Sequence, residues 1–569
     1  TSLLTLLNKF LNKENPSFSF DDFNLNTISK IQELEQEDIP TDFEYGIEMK
    51  INVEYFDGDD FSIIEPFMMN LSPDKNFIVV RFKYSLDYDQ AIEFKTNFDE
   101  RSNVGQTFMQ FAEENFEKFF KTEVHIIEYE NESAQKSLEK RSHLSRLINI
   151  NHISAKRNVD NQSPDSNSEN KSLSKLAAKY YDRIENDETK KAQIEDLKSK
   201  LKTSDSELDQ NYQRTFVDII TVVKKFSGIL DDGTDIKITS SLTGRNILKD
   251  NTTVKYVQGG KDLPEDYNGL GYMNLFELIF QIEVIMSEFK KHYDFNAEPS
   301  GINILFIEEP EAHTHPQMQY VFIKNIKQLL KQGKKIDADN EIELQTIIST
   351  HSSHITTDSK YEDIKYFCRN NEKTNVIVKN ISELKDVYEE DPKHYEFLKQ
   401  YLTLTKAELF FADKVVLIEG DTERILLPTI MRKLDLETEG DGKLPLLSQN
   451  ISIVEVGAYS QIFEKFIDFL EVEKTLIITD IDSGKSTENN KACPVSHADA
   501  NITTNSALNF FFRSNDLDIY KNKTLDDKVL KIVETDESRT WQIDTNGNLC
   551  IVYQTEENGT CGRSFEEAF

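Results

Sequence analysis

Cysteine is scarce in this 569-residue chain: Cys368, Cys493, Cys550 and Cys561 are the four, and none shares a Cys-x-x-Cys spacing. A disulfide-stapled scaffold is thereby excluded, and free thiols in a reducing cytoplasm are expected. Long apolar runs are missing too, and none approaches the roughly 20 residues of a membrane-spanning helix. The opening Thr1-Ser2-Leu3-Leu4 has no basic stretch, which argues against a signal peptide. Positive charge is in short supply: 66 Lys and Arg against 101 Asp and Glu leave a net charge of −35. This balance excludes a basic coat for nucleic acid over the whole surface. An acidic chain can still work on DNA if its carboxylates gather around metal ions and a local basic groove holds the backbone. One motif is also absent, since no Gly-x-x-x-x-Gly-Lys-[Ser/Thr] phosphate loop occurs anywhere.

What is present, 38% hydrophobic and 29% charged residues, suits globular domains with some solvated helix. The length exceeds a single core, so two domains or more are expected. Leu3, Leu4, Leu6, Leu7, Phe10 and Leu11 predict an amphipathic helix over 1–11. The alternation Ile47, Met49, Ile51, Val53, Tyr55 and the run Phe77-Ile78-Val79-Val80 flank a Ser72-Pro73-Asp74-Lys75 turn and predict antiparallel strands. A helix is expected over 108–120 and a buried strand over 147–153. A polar stretch from Asn158 to Ser172 reads as a loop. Beyond it come helical stripes: Leu173, Leu176, Ala177, Tyr180 and Ile184, then Ile194, Leu197 and Leu201, then Leu208, Tyr212, Phe216, Ile219 and Val223. They predict a helical insertion over about 165–225 that either self-associates or packs on its parent domain. From Leu270 the pattern becomes α/β: a helix over 272–290, a strand over 302–307, a helix over 316–331 and a strand over 344–349. An acidic helix is predicted over 383–402, and the domain boundary is placed near it, at 405/406. A second α/β unit opens at Val415-Val416-Leu417-Ile418 and alternates to Thr475-Leu476-Ile477-Ile478. No internal repeat is visible.

Two groups of residues carry chemistry. Ile304-Leu305-Phe306-Ile307-Glu308-Glu309-Pro310 is an apolar strand closing on two acids. A buried strand delivers carboxylates at its C-terminal edge, where α/β sheets bind ligands. Glu308 can hold Mg²⁺ through water, and Glu309 can orient the water that attacks a γ-phosphate. Read alone, the motif is equally a solvated strand end. Its neighbours favour the first reading: Glu311-Ala312-His313-Thr314-His315-Pro316 follows, and Ser349-Thr350-His351-Ser352 comes after one more helix and strand. His351 suits a sensor of the γ-phosphate. Upstream, Asn268-Gly269-Leu270-Gly271 opens a helix whose N-terminus favours an anion and whose glycines allow close backbone approach. His313 and His315 lack the cysteine or third histidine that a zinc site needs.

The second group begins with Val415-Val416-Leu417-Ile418-Glu419-Gly420, a strand ending in an acid, with Glu423 four residues on as a helix starts. Further along, Leu476-Ile477-Ile478-Thr479-Asp480-Ile481-Asp482 is a strand closing on Asp-x-Asp. In a parallel sheet the two ends can lie side by side. Four such acids repel unless cations sit between them. Two divalent ions held there could activate water and stabilise the leaving oxygen of a phosphodiester.

In order and spacing, the first group resembles the signature, Walker B with D-loop, and switch-histidine elements of ABC-type ATPases. Its wording resembles the overcoming-lysogenization-defect (OLD) branch, where Glu-Glu-Pro-Glu-Ala-His and Ser-Thr-His-Ser recur. The second group resembles the TOPRIM signature, as do Val454–Tyr459, Thr503-Thr504-Asn505 and Gly562–Phe569. The resemblance covers nearly the whole chain. It implies an α/β protein: an ABC-type ATPase domain over 1–405, with a mixed sheet, then a Rossmann-like TOPRIM domain with a parallel sheet over 406–569. It further implies ATP, Mg²⁺ or Mn²⁺, DNA as substrate, a homodimer or dimer of dimers, and a helicase-like partner protein in bacterial defence against phage. In the family another acid joins the metal site, for which Glu566 is the best match and Glu567 the alternative. The family's lysine has no convincing counterpart; Lys485 is a weak substitute. Thr1-Ser2 matches the residues that follow the lysine of a phosphate loop, with Thr1 at the Mg²⁺-binding hydroxyl, so more chain is expected before Thr1, and by resemblance after Phe569. The alternative is an SMC- or RecF-like DNA-binding ATPase with a degenerate nuclease domain; the presence of all four acids speaks against it.

Overall fold

The structure is a computed structural model describing residues 2–13, 16–35, 38–70, 75–101, 107–155, 211–226, 235–240, 252–258, 260–264, 270–291, 298–312, 314–336, 340–369, 375–404, 407–486, 492–494, 499–535, 538–556 and 561–568. Thr1, Asn268, Gly269, His313 and the helical stripes expected over 173–201 lie outside the described residues. The chain separates into two compact units, Thr1–Thr350 and His351–Phe569.

In the first unit, the helix Ser2–Asn12 buries Leu4, Phe10 and Leu11, the stripe expected of it. Strands β1 (Glu44–Glu54), β2 (Phe77–Asp87), β3 (Lys121–Glu128) and β4 (Asn131–Ser137) form an antiparallel sheet in chain order. Met49 and Val53 of β1 lie on one face of the pleat with Ile51 half-buried between them, while β2, inside the sheet, is buried continuously from Ile78 to Phe82 and on alternate residues through Tyr84 to Leu86. Next come β5 (Ile148–Ile153) and a separate antiparallel sheet of β6 (Asp235–Ser240), β7 (Thr252–Gln258) and β8 (Lys261–Pro264). With β9 (Ile302–Glu308) and β10 (Leu344–Ser349), β5 makes a parallel sheet in the order β10-β9-β5. A strand covered on both faces must be apolar throughout. Leu305, Phe306 and Ile307 in the central β9 are indeed all buried. The helix Leu270–Lys290 is apolar on every side, with Met273, Phe276, Ile279, Ile282, Met286 and Phe289 buried, as befits a core helix.

The second unit opens with a short helix, Ser353–Thr357, and a turn, Tyr361–Asp363, before a hairpin of β11 (Lys365–Arg369) and β12 (Val376–Asn380). The single helix expected over 383–402 is broken: a turn at Ile381–Glu383 and a short helix Leu384–Val387 precede a separate helix Pro392–Leu404. Pro392 explains this, because proline lacks the donor of a helix interior, keeps Asp391 out of helical geometry, and suits the first turn. Then follow β13 (Lys414–Ile418), the helix Asp421–Glu437, β14 (Ile451–Glu455) and β15 (Lys474–Ile478). Short strands β16 (Ser483–Ser486), β17 (Ala492–Pro494) and β18 (Ile502–Thr503) form a small sheet of their own. Strands β19 (Val529–Thr535), β20 (Ser538–Ile543) and β21 (Leu549–Val552) complete the main sheet in the order β14-β13-β15-β21-β19-β20. Its first four strands are mutually parallel, and the β19–β20 hairpin adds an antiparallel edge. Val415, Leu417, Ile477 and Ile551 of the sheet share a core with Phe463, Phe466, Leu508 and Phe511. Among the described residues no helix is long and apolar enough to cross a membrane.

Candidate functional site

In the first unit, Glu308 ends β9 opposite Ser349 of β10. It is buried, and its Oε2 accepts from the Ala155 amide at 3.5 Å. Glu309 then takes the left-handed backbone region, φ 38°. That conformation is disfavoured for a residue with a Cβ and persists where surrounding bonds impose it. Here the Glu309 amide donates to Ser349 O at 2.9 Å and lies 3.4 Å from Ser349 Oγ. The turn continues with Ala312 N donating to Glu309 O at 3.0 Å, while Thr350 Oγ1 donates to Glu311 Oε1 at 2.8 Å. Asn274, buried in the helix Leu270–Lys290, donates to Ala312 O at 3.2 Å and ties that helix to the turn. Gly271 is the second residue of this helix. Ser2 is the first residue of the helix Ser2–Asn12. His315 is exposed; His351, exposed as well, is the first residue of the second unit.

In the second unit, parallel pairing of β13 with β15 brings Glu419 to the Asp480–Asp482 turn. Glu419 Oε1 accepts from the Asp480 amide at 3.0 Å, from the Thr479 hydroxyl and from Asn505 Nδ2 at 3.2 Å. The same Asn505 amide lies 2.8 Å from Thr479 Oγ1 and 3.4 Å from Asp482 Oδ2. Asp480 Oδ1 accepts from Gln554 Nε2 at 2.7 Å and from the Phe565 amide at 2.8 Å. Asp482 has φ 44°, a second strand-end acid in the left-handed region. Glu423, only 3% exposed, turns back to accept the Gly420 amide at 3.1 Å, which satisfies a helix-start donor. Glu566 accepts from Thr422 Oγ1 at 3.0 Å, beside this helix start, whereas Glu567 accepts from the Arg563 amide of its own turn. The geometry thus brings Glu566, not Glu567, to the acids.

The electrostatics agree. Burial raises the pKa of Asp480, and the Glu419 charge adds to it; burial and then the Asp480 charge raise that of Asp482, partly offset by Arg563. Burial raises Glu423 too, with Asp480 and Glu566 adding repulsion. Glu566 is lowered by backbone hydrogen bonding, then by the Thr422 and Ser564 hydroxyls. Carboxylates that resist ionisation together, with hard oxygen donors only, fit a divalent cation of the Mg²⁺ or Mn²⁺ kind. Among the described residues no three His, Cys, Asp or Glu side chains are placed to hold a metal ion as they stand. Lys485 is exposed on β16. Thr479 and Gln554 have no counterpart among the expected site residues. The position of Gln554, two residues past the end of β21 on the same sheet edge, is the signal that could have marked it.

Residues 1–356 match the AAA ATPase domain family, and residues 410–482 match the overcoming lysogenization defect protein-like TOPRIM domain. The endonuclease GajA of Bacillus cereus (strain HuB5-5) is 27% identical over 100% of this chain and 79% of that protein. The Old nuclease of Escherichia phage P2 is 24% identical over 36% of this chain and 35% of that protein. The Smc head bound to the C-winged helix domain of ScpA shares 13% identity over 60% of this chain and 76% of its own, at a TM-score of 0.25. Fold and site together define the class: an ATPase joined to a TOPRIM hydrolase, using nucleotide and divalent metal. The chain belongs to the AAA ATPase domain family, whose model spans more than half of it, and it carries an overcoming lysogenization defect protein-like TOPRIM domain, a pairing that supports a nuclease of the OLD kind.

Proposed function

We propose that the protein is an ATP-regulated, divalent-metal-dependent DNA endonuclease. The observation that carries this reading is the meeting of Glu419 with Asp480 and Asp482 at the C-terminal edge of adjacent parallel strands, with Glu423 and Glu566 beside them. These five acids are the residues to hold Mg²⁺ or Mn²⁺, two ions in all. Such ions, when bound, supply a hydroxide-like nucleophile and a counter-charge for the leaving oxygen. The chain's own part is to hold the acids ionised and aimed, through Thr479, Asn505, Gln554 and the Phe565 amide. In the ATPase unit, placed at 1–405 with the TOPRIM unit at 406–569, Glu308 holds the nucleotide's Mg²⁺ and Glu309 orients the attacking water. His351 senses the γ-phosphate, Thr1 and Ser2 lie at the phosphates, and Asn268, Gly269 and Gly271 face the nucleotide of a second copy. The working form is therefore a homodimer or a dimer of dimers. The family resemblance supports a cytoplasmic place in defence against phage with a helicase-like partner.

A plasmid cleavage assay with Mg²⁺ or Mn²⁺ tests the reading, wild type beside Glu419→Ala. Wild type is expected to nick or cut and the variant to lose nearly all cleavage, because a ligand of the metal ions that supply the nucleophile is gone. Equal cleavage by the two proteins would sink the assignment.

A further inference from the structure

The two halves of the acidic site come from strand ends 61 residues apart in sequence, and Asn505, a neutral side chain from outside both strands, reaches a carboxylate of each. Asn505 is 3% exposed and packs its amide against both Glu419 Oε1 and Asp482 Oδ2, with Thr479 Oγ1 between. Its other atom is committed as well: Asn505 Oδ1 accepts the Leu508 amide at 3.0 Å and caps the helix Ser506–Phe512. An oxygen facing a backbone N–H and a nitrogen facing carboxylates leave only one orientation for this amide. The residues before it serve the same turn. Thr504 donates to Asp482 O from its amide at 3.0 Å and from its hydroxyl at 3.1 Å. Thr503 Oγ1 donates to Ile481 O at 2.6 Å. The left-handed backbone of Asp482 is therefore held from the β18 side, and its carboxylate is held by Asn505.

We propose that Asn505 is a positioning residue for metal binding, its amide setting the spacing of Glu419 and Asp482 at which divalent cations enter. A lysine there would neutralise the acids and compete with the cation. An amide fixes their direction and leaves their charge available. The proposal rests on the nuclease reading above.

The test separates the cap from the amide. Asn505→Ser keeps a good N-cap but cannot reach Glu419 or Asp482. In the full-length protein without nucleotide, calorimetric titration with Mn²⁺ should show about tenfold weaker binding for Asn505→Ser than for wild type, with the thermal midpoint in EDTA nearly unchanged. Asn505→Asp, isosteric and also a cap, adds a carboxylate, so Mn²⁺ should raise its thermal midpoint more than it raises that of wild type. Wild-type Mn²⁺ affinity in Asn505→Ser overturns the proposal. If that variant fails to fold, Asn505→Asp decides alone, and a metal response identical to wild type overturns it. Glu419→Ala is the control for the underlying reading: if it binds Mn²⁺ as wild type does, the nuclease site is elsewhere and this inference falls with it.

Discussion

At the scale of single residues, two acids share a backbone conformation that side chains avoid. Glu309 and Asp482 each follow a buried strand and each turn left-handed, at a cost of roughly 1–2 kcal/mol apiece. Both lie at the C-terminal ends of strands of a parallel sheet. Glu309→Gln keeps the shape and loses only the basic oxygen. Its ATP turnover should drop by at least about 10²-fold while nucleotide affinity stays within about threefold, read by phosphate release and equilibrium binding. Turnover near the wild-type rate would refute the Walker B assignment. The acids themselves were legible in sequence, because strand-end Glu-Glu and Asp-x-Asp stand out against apolar runs. Gln554 was not. A lone amide after a short strand has no spacing signature, and only the pairing of β21 beside β15 brings it to Asp480.

At the scale of elements, most strands and helices could be read from period and punctuation, and the failure at 383–402 is instructive. Tyr388, Tyr395 and Leu398 continue an apolar pattern across Pro392, so periodicity alone runs through a break that the proline enforces. Another element-level feature had no sequence signal at all: Arg539 of β20 donates to Glu464 and Asp468 of the helix Glu464–Phe469, and Trp541 donates to the same Glu464 oxygen. Glu464 is nearly inaccessible, and its pKa is raised, burial outweighing the pull of Arg539. Arg539→Met leaves that carboxylate without its counter-charge. It should cost about 3 kcal/mol at pH 7, the low end for a broken buried pair because Arg539 itself is partly exposed. A raised carboxyl pKa makes the folded state hold more protons, so stability falls as pH rises through that range. Without Arg539 the range extends upward, and the loss should therefore be smaller at pH 5 than at pH 7, measured by denaturant midpoints. Equal losses at both would refute this account. Arg513, left-handed at φ 52° after the helix Ser506–Phe512, is a gentler case. Arg513→Gly should stabilise the fold by about 1 kcal/mol, seen as a raised thermal midpoint; no rise would refute the strain there.

At the scale of the whole molecule, an ABC-type head supplies one face of each nucleotide, so ATP is expected to drive two copies together. Light scattering of the intact Glu309→Gln protein at micromolar concentration should show a dimer or larger assembly with ATP. A monomer under those conditions would count against the proposed arrangement. The topology of the second unit has a further consequence, which concerns time. Strand β21 follows the β19–β20 hairpin in the chain but lies between β15 and β19 in the sheet, and the Gln554 and Phe565 groups that hold Asp480 come after it. As a polypeptide leaves the ribosome, domains fold in order from the N-terminus. The ATPase unit can therefore settle while the cleavage edge still lacks a central strand. A copy made only as far as the β19–β20 hairpin already has Glu419, Glu423, Asp480 and Asp482, with Thr479 and Asn505 to hold them. It still lacks Gln554, the Phe565 amide and Glu566, so the cleavage edge is completed only by residues translated after the hairpin.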